Sequence, residues 1–245
     1  MHLRSFILAL GWLLSTVAGV LLSAPAWAQG VTLIRDAEIE HTIRTYATPI
    51  LQAAGLSPQA IEIYIIQDRS LNAFVIPGNR MFLHTGLLMN SKSPLELIGV
   101  MAHEAGHIAG GHIAGRGEEL RNASIKAVLA MVLGMGAAAA SGDGRAAGAV
   151  MGMGQDAALR GLLSYTRSQE QAADQAAVTY LRRSGLSPEG LRDFMAVLEG
   201  QEVLLTSSQD PYLRTHPLTR ERISFLEQAV RQSEYAGQGA PPHLQ

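Results

Sequence analysis

His103-Glu104-Ala105-Gly106-His107 decides the reading of this 245-residue chain. On a helix, residues four apart share a face, so His103 and His107 can grip one metal ion together. Glu104 projects at a neighbouring angle and can reach a water beside that ion without being a ligand. The combination suits metal-assisted hydrolysis of a peptide bond. The plainer reading is a buried helix whose histidines are satisfied by nearby polar groups. The surrounding sequence therefore has to supply a helix and a third ligand.

Upstream, Ser93-Pro94-Leu95-Glu96 reads as a helix start. Ser93 can accept from a free backbone N–H, Pro94 suits the first helical position and Glu96 completes a capping box. Leu95, Leu97, Ile98, Val100 and Met101 follow, with no proline before the histidine pair. Downstream, His112 invites the pattern H-E-x-x-H-x-x-G-x-x-H, and Gly110 fits its glycine. The last histidine of that pattern would fall on Ile113, so the register excludes it. His112 is read as a solvated residue or as a brace for a ligand. Glu170 is the better third ligand, within Tyr165-Thr166-Arg167-Ser168-Gln169-Glu170-Gln171-Ala172-Ala173-Asp174, a stretch of helix formers that stops near Gly185. Glu170 and Asp174 share a face. Glu170 could complete the metal set while Asp174 accepts the outer N–H of a ligating histidine. An ordinary charged helix face is the alternative.

These pieces together resemble the gluzincin-type zinc metalloendopeptidases that include HtpX, BepA and the CAAX prenyl proteases. Asn72-Ala73-Phe74-Val75-Ile76-Pro77-Gly78, then Thr85-Gly86-Leu87-Leu88, is similar to the family's strand-turn-strand element. His103 to His107 match its metal helix, Glu170 to Asp174 its E-x-x-x-D segment, and His216-Pro217 with Arg222 its H-P-x-x-x-x-R element. The resemblance implies an α+β, predominantly helical zincin-type metalloprotease domain, with a small sheet containing antiparallel strands packed on the H-E-x-x-H helix. It implies one zinc ion per chain, held by His103, His107 and Glu170, with Glu104 as general base. His216 and Arg222 would line the active site and aid substrate or oxyanion binding, the histidine reaching the metal at rest in some members. Asn72 would lie near the bound peptide. Without the resemblance, His216 could be a helix-entry residue and Arg222 a surface cation. Where the family commonly has two glycines after the proline, this chain has Gly78-Asn79; asparagine tolerates the left-handed conformation, so the turn is expected to survive. No helical repeat like that of BepA is visible before Gln245, so functions of that extension are not carried over.

Residues 1–28 read as an export leader: Arg4, an apolar run from Phe6 to Leu22, then Ala26-Trp27-Ala28. An uncleaved anchor is the alternative. The periplasm is the expected compartment, free or at a membrane surface. With no cysteine, neither a disulfide nor a thiolate ligand is possible. The leader carries only Arg4, leaving 18 basic against 21 acidic residues and no basic run, which argues against a nucleic-acid partner.

The remainder is expected to form one metalloprotease domain over 29–233, with 234–245 a disordered tail. A helix is expected over Asp36–Ala54 and strands at Ile61–Ile66, Ala73–Ile76 and Met81–His84. By analogy with other zincins, the last strand would offer its edge to an extended peptide; His84 is read as structural or surface. Ile125–Ala140 and Ala146–Gly154 are rich in Ala, Gly and Met, joined by a loop near Ser141–Arg145. Glycines 144, 148 and 152 suggest two closely packed helices, in preference to a hairpin that touches lipid or gates the cleft. A helix starts at Leu186-Ser187-Pro188-Glu189, a polar loop runs from Thr206 to Asp210, and a final helix places Ile223, Leu226 and Val230 on one face. The function expected is a secreted zinc endopeptidase acting on misfolded or unassembled envelope proteins. The alternatives are a latent or chaperone-like binder of such chains and a purely structural zinc site.

Overall fold

The computed structural model describes residues 31–141, 144–204 and 211–244. The leader, the residues 142–143 of the expected glycine-rich loop and the polar loop at 206–210 lie outside them.

The sheet is built from β1 (Leu33–Ile34), β2 (Glu62–Ile66), β3 (Ala73–Ile76) and β4 (Arg80–His84). Its order is β1-β2-β4-β3, with β2 parallel to β4 and both outer pairs antiparallel. Alternation sends Ile65, Ala73, Met81 and Leu83 into the core. Tyr64, Phe82 and Phe74 form a stacked row on the other face, each neighbouring pair 5.1 Å apart. The β3–β4 turn survives the asparagine: Gly78 has φ 90° and Asn79 φ 59°. One expectation is corrected here. β4 lies inside the sheet, and β3, not β4, is the edge strand on that side. The parallel β2–β4 pairing, not visible in either strand alone, takes the flank of β4.

Helix α1 (Ala37–Ala53) is capped by Asp36, whose Oδ1 accepts from the N–H groups of Glu38 and Ile39. A short α2 (Thr85–Asn90) follows β4 and leads to α3 (Pro94–Ala109). Every residue of α3 from Leu95 to His107 is buried, against α1, β3 and two later helices. Its start departs from the expected capping box. Ser93 makes no side-chain cap, and Glu96 accepts from the backbone N–H of Lys92 at 3.1 Å, one residue further back.

The chain then runs through α4 (His112–Ser141), α5 (Gly144–Arg183), α6 (Glu189–Leu204), α7 (Pro211–Thr215) and α8 (Arg220–Arg231). The two long helices pack along each other as an arm. The glycines contribute less to that packing than expected, because a Cβ added at Gly148 or Gly152 would meet nothing within 4 Å. Instead the arm leaves Ile125, Val128, Leu129, Val132 and Leu133 each more than half exposed. Among the described residues no helix is long and apolar enough to cross a membrane. Leu244 is buried in the core, and the N–H of Gly237 donates to Glu189 Oε2 at 2.9 Å. Ala240, partly buried, packs on the same core.

Candidate metal centre

Three segments meet at the middle of α3. α3 brings His103, Glu104 and His107; α5 brings Glu170 and Asp174; the link from α7 into α8 brings His216, and α8 itself Arg222. The approach of α5 depends on Gly106, whose added Cβ would lie 2.9 Å from the carbonyl oxygen of Ala173. A larger residue there would push Glu170 away from the histidines.

His103, His107, Glu170 and His216 are buried and turn one donor atom each toward a common point. His103 Nε2 lies 3.1 Å from His107 Nε2 and 3.3 Å from both His216 Nδ1 and Glu170 Oε2. Glu170 Oε1 is 3.3 Å from His107 Nε2, and Glu170 Oε2 is 3.2 Å from His216 Nδ1. Donors held about 2.0–2.1 Å from a tetrahedral ion stand roughly 3.3–3.4 Å apart, which these contacts approach, and all four donors lie within 4.8 Å of one another. Three imidazoles and a carboxylate also suit that ion chemically.

The groups behind the donors fix their direction. His103 Nδ1 lies 2.9 Å from Asp174 Oδ1, which leaves its Nε2 for the centre. Arg222 grips Asp174 from the far side, Nε to Oδ2 at 2.6 Å and Nη2 to Oδ1 at 2.9 Å. Its Nη1 serves the carbonyl of Pro217 at 2.9 Å and lies 3.1 Å from Glu170 Oε2. Tyr212, one turn before His216 on α7, stacks on the His216 ring at 4.6 Å and meets Phe194 edge-on.

Burial opposes charge on His103, yet the Asp174 and Glu170 carboxylates outweigh it and raise its pKa to about 9. Burial lowers that of His107 to about 3. Burial works against the Glu170 and Asp174 anions too, but the surrounding histidines and, for Asp174, Arg222 hold both below the ordinary carboxylate range. Glu104 goes the other way. It is fully buried, and burial raises its pKa. Neither carboxylate oxygen of Glu104 has a hydrogen-bond partner among the described residues, although Oε1 lies 3.5 Å from His216 Nε2. A buried carboxyl of this kind is poised to take and give a proton.

An open cleft leads to this cluster, lined by Phe74, Val75 and Ile76 of β3, Glu104, His107, His112, Ile113, Thr215 and His216. Arg222 does not line it, and its guanidinium is occupied by the contacts above. It is a fully buried cation that braces two carboxylates. Asn72 stands one residue before β3, with Oδ1 buried and no hydrogen-bond partner among the described residues. It does not line the cleft. His84 is internal, bonded to Ser70 Oγ at 2.9 Å. Tyr212 and Gly106 were not legible as site features, whereas His112, read as a solvated residue or a brace for a ligand, lies against His107. Only the four-residue spacing of Tyr212 and His216 offered a signal.

Residues 34–230 match the profile of peptidase family M48. The chain belongs to this family. The matched residues include His103, His107, Glu170 and His216. The chain is 31% identical over 214 residues to a Vibrio cholerae protein assigned to the beta-barrel assembly-enhancing proteases, covering 86% of this chain and 43% of that one. It is 28% identical to the beta-barrel assembly-enhancing protease of Escherichia coli K12, covering 82% and 40%. A mitochondrial metalloendopeptidase of Schizosaccharomyces pombe is 25% identical over 76% of this M48 chain and 51% of its own. The chain thus spans about two fifths of the length of the beta-barrel assembly-enhancing proteases it matches.

Proposed function

We propose that this chain is a zinc-dependent endopeptidase, exported to the periplasm by its leader, that cuts misfolded or unassembled envelope proteins. The convergence of His103, His107, Glu170 and His216 beside an unpartnered Glu104 carries the reading. His103, His107 and Glu170 would hold the ion, and Asp174 would orient His103. Bound zinc supplies a Lewis acid that lowers the pKa of a water and polarises a carbonyl. Glu104 Oε takes the proton from the attacking water and later delivers it to the departing amine.

His216 Nδ1 makes a fourth donor, whereas catalytic zinc sites keep one position open. We read the present arrangement as the resting one, with His216 turning aside to admit a peptide. The residue does this from the α7–α8 link, where Tyr212 and the Arg222–carbonyl contacts define its resting place.

The peptide would run along β3. His84 N–H donates to the Asn72 carbonyl, so the alternating pattern turns the polar groups of Ala73 and Val75 away from β4 toward the open edge. An extended substrate could pair there. Contact of the apolar arm with a membrane surface belongs to the same proposal, and flotation with vesicles tests it. The relatives named as assembly-enhancing proteases support envelope proteins as substrates. The binder-only alternative is not favoured, since a complete donor set with a buried acid–base group serves no binding role.

The test is to measure bound zinc in the purified protein and follow cleavage of an unfolded protein. Cleavage is expected to stop with a chelator and to fall by several orders of magnitude in Glu104→Gln with zinc retained. Full metal-dependent cleavage by Glu104→Gln would refute the mechanism.

A further inference from the structure

We propose that His112 is a positioning residue for the metal centre, the neutral acceptor that orients His107. The inference rests on the zinc reading above. His112 Nδ1 lies 3.0 Å from His107 Nδ1, with the two rings nearly perpendicular. His107 turns Nε2 into the donor cluster, so its Nδ1 carries the hydrogen and donates. His112 must then present a lone pair at Nδ1 and keep its own hydrogen on Nε2. His103 receives the same service from the Asp174 carboxylate. The two ligating histidines of α3 are thus braced differently, one by an anion and one by a neutral ring.

Local geometry builds this contact. α3 ends at Gly110, Gly111 takes φ +66°, and α4 opens on His112 itself. That turn folds the His112 ring back under the end of α3. A Cβ added at Gly110 would come 2.5 Å from His112 Nε2 and 2.9 Å from two ring carbons. Gly110 has an ordinary φ of −76°, so space for the ring, not backbone freedom, is what this glycine supplies. Across the site, Gln169 Nε2 donates to the His112 carbonyl at 3.4 Å. Gln169 precedes the ligand Glu170, so one turn of α5 supplies a donor to the centre and steadies the brace of another.

The choice of a neutral acceptor has a consequence for charge. A carboxylate at this place would add an anion beside Glu104 and Glu170. A histidine orients His107 through a lone pair and leaves the local charge unchanged.

The experiment measures zinc dissociation constants of the full chain by chelator competition. It compares the parent with His112→Leu, His112→Asn and Gly110→Ala. Asparagine can place Oδ1 where the histidine has Nδ1, whereas leucine offers no acceptor. Loss of an outer partner of a metal-bound histidine typically costs 10–100-fold in affinity. His112→Leu and Gly110→Ala are expected to weaken zinc by that factor, and His112→Asn to stay within a few-fold of the parent. Leucine and parent affinities within about threefold would overturn the proposal, as would asparagine binding no better than leucine. Should His112→Leu not fold by circular dichroism, the contrast between Gly110→Ala and His112→Asn decides the matter. A parent that binds no zinc refutes the metal reading itself, a different result from a parent that binds zinc indifferently to residue 112.

Discussion

Asp174 and Arg222 form the buried ion pair on which the donor set leans, and a double-mutant cycle measures how much. Both side chains are about 1% exposed or less, and two hydrogen bonds join them. Removing one member of a buried pair strands the other charge, at a cost of about 3–5 kcal/mol. Asp174→Leu leaves Arg222 facing Glu170 alone; Arg222→Met leaves Asp174 with only His103. The double variant strands neither, so it should be no less stable than the worse single one. That is a coupling of about 3 kcal/mol or more, where additive effects would predict a loss of about 6–10 kcal/mol. The assay is urea unfolding without zinc, followed by circular dichroism at pH 7. Asp174 has a folded pKa depressed below its ordinary 3.8, so its contribution is fully present above that value. It disappears as pH falls through the depressed value, and pH 7 lies well clear of that window. Zinc affinity is the second readout. It should fall about 10–100-fold wherever residue 174 no longer holds His103. Additive stability losses would refute the idea that the pair acts as one unit.

Three further outcomes follow from the same geometry. His216→Ala removes a fourth donor but no member of the three-ligand set, so zinc should be retained and cleavage of an unfolded protein should rise; a hundredfold fall in kcat would show that His216 serves the reaction directly. His103, raised to about 9 by its carboxylates, carries a proton at neutral pH that an incoming ion must displace. Apparent zinc affinity should therefore climb by at least about tenfold per pH unit from 6 to 8 and flatten above about 9, and a flat profile in competition titrations would contradict it. Val75→Pro deletes an edge N–H without breaking the β3–β4 ladder. It should raise KM by about 2–10-fold, the worth of one hydrogen bond, and leave zinc binding alone; an unchanged KM would place the substrate elsewhere.

The α3 metal helix, the α5 donor face and the position of the β3–β4 turn were legible because each rests on local spacing. His103 and His107 are one turn apart, as are Glu170 and Asp174, and helix geometry does the rest. What was misread depends on contacts between distant segments. β4 looks like an edge strand until β2 pairs with it in parallel. Arg222 gives no sign of its pairing with Asp174 until α8 packs against α5. Gly148 and Gly152 carry the spacing of close packing, yet they lie on outward faces of the arm.

The charges of the centre explain why Glu104 and His103 are pushed in opposite directions from the same low-dielectric site. Glu170 and Asp174 are held as anions, and Arg222 and a protonated His103 answer them, while burial pushes the pKa of Glu104 upward. With a proton on Glu104, those five groups balance. An entering divalent ion adds two positive charges to a region where an uncompensated charge costs several kcal/mol. Losing the His103 proton removes one, and ionisation of Glu104 removes the other, after which the groups and the ion balance again. Metal binding would then convert Glu104 from an acid into the base that the reaction needs. Proton release should accordingly exceed one per zinc at pH 7 in the parent and drop by one in Glu104→Gln. Calorimetry in two buffers of different ionisation enthalpy reads that difference. Equal release from the two proteins would mean that Glu104 is already ionised before the ion arrives.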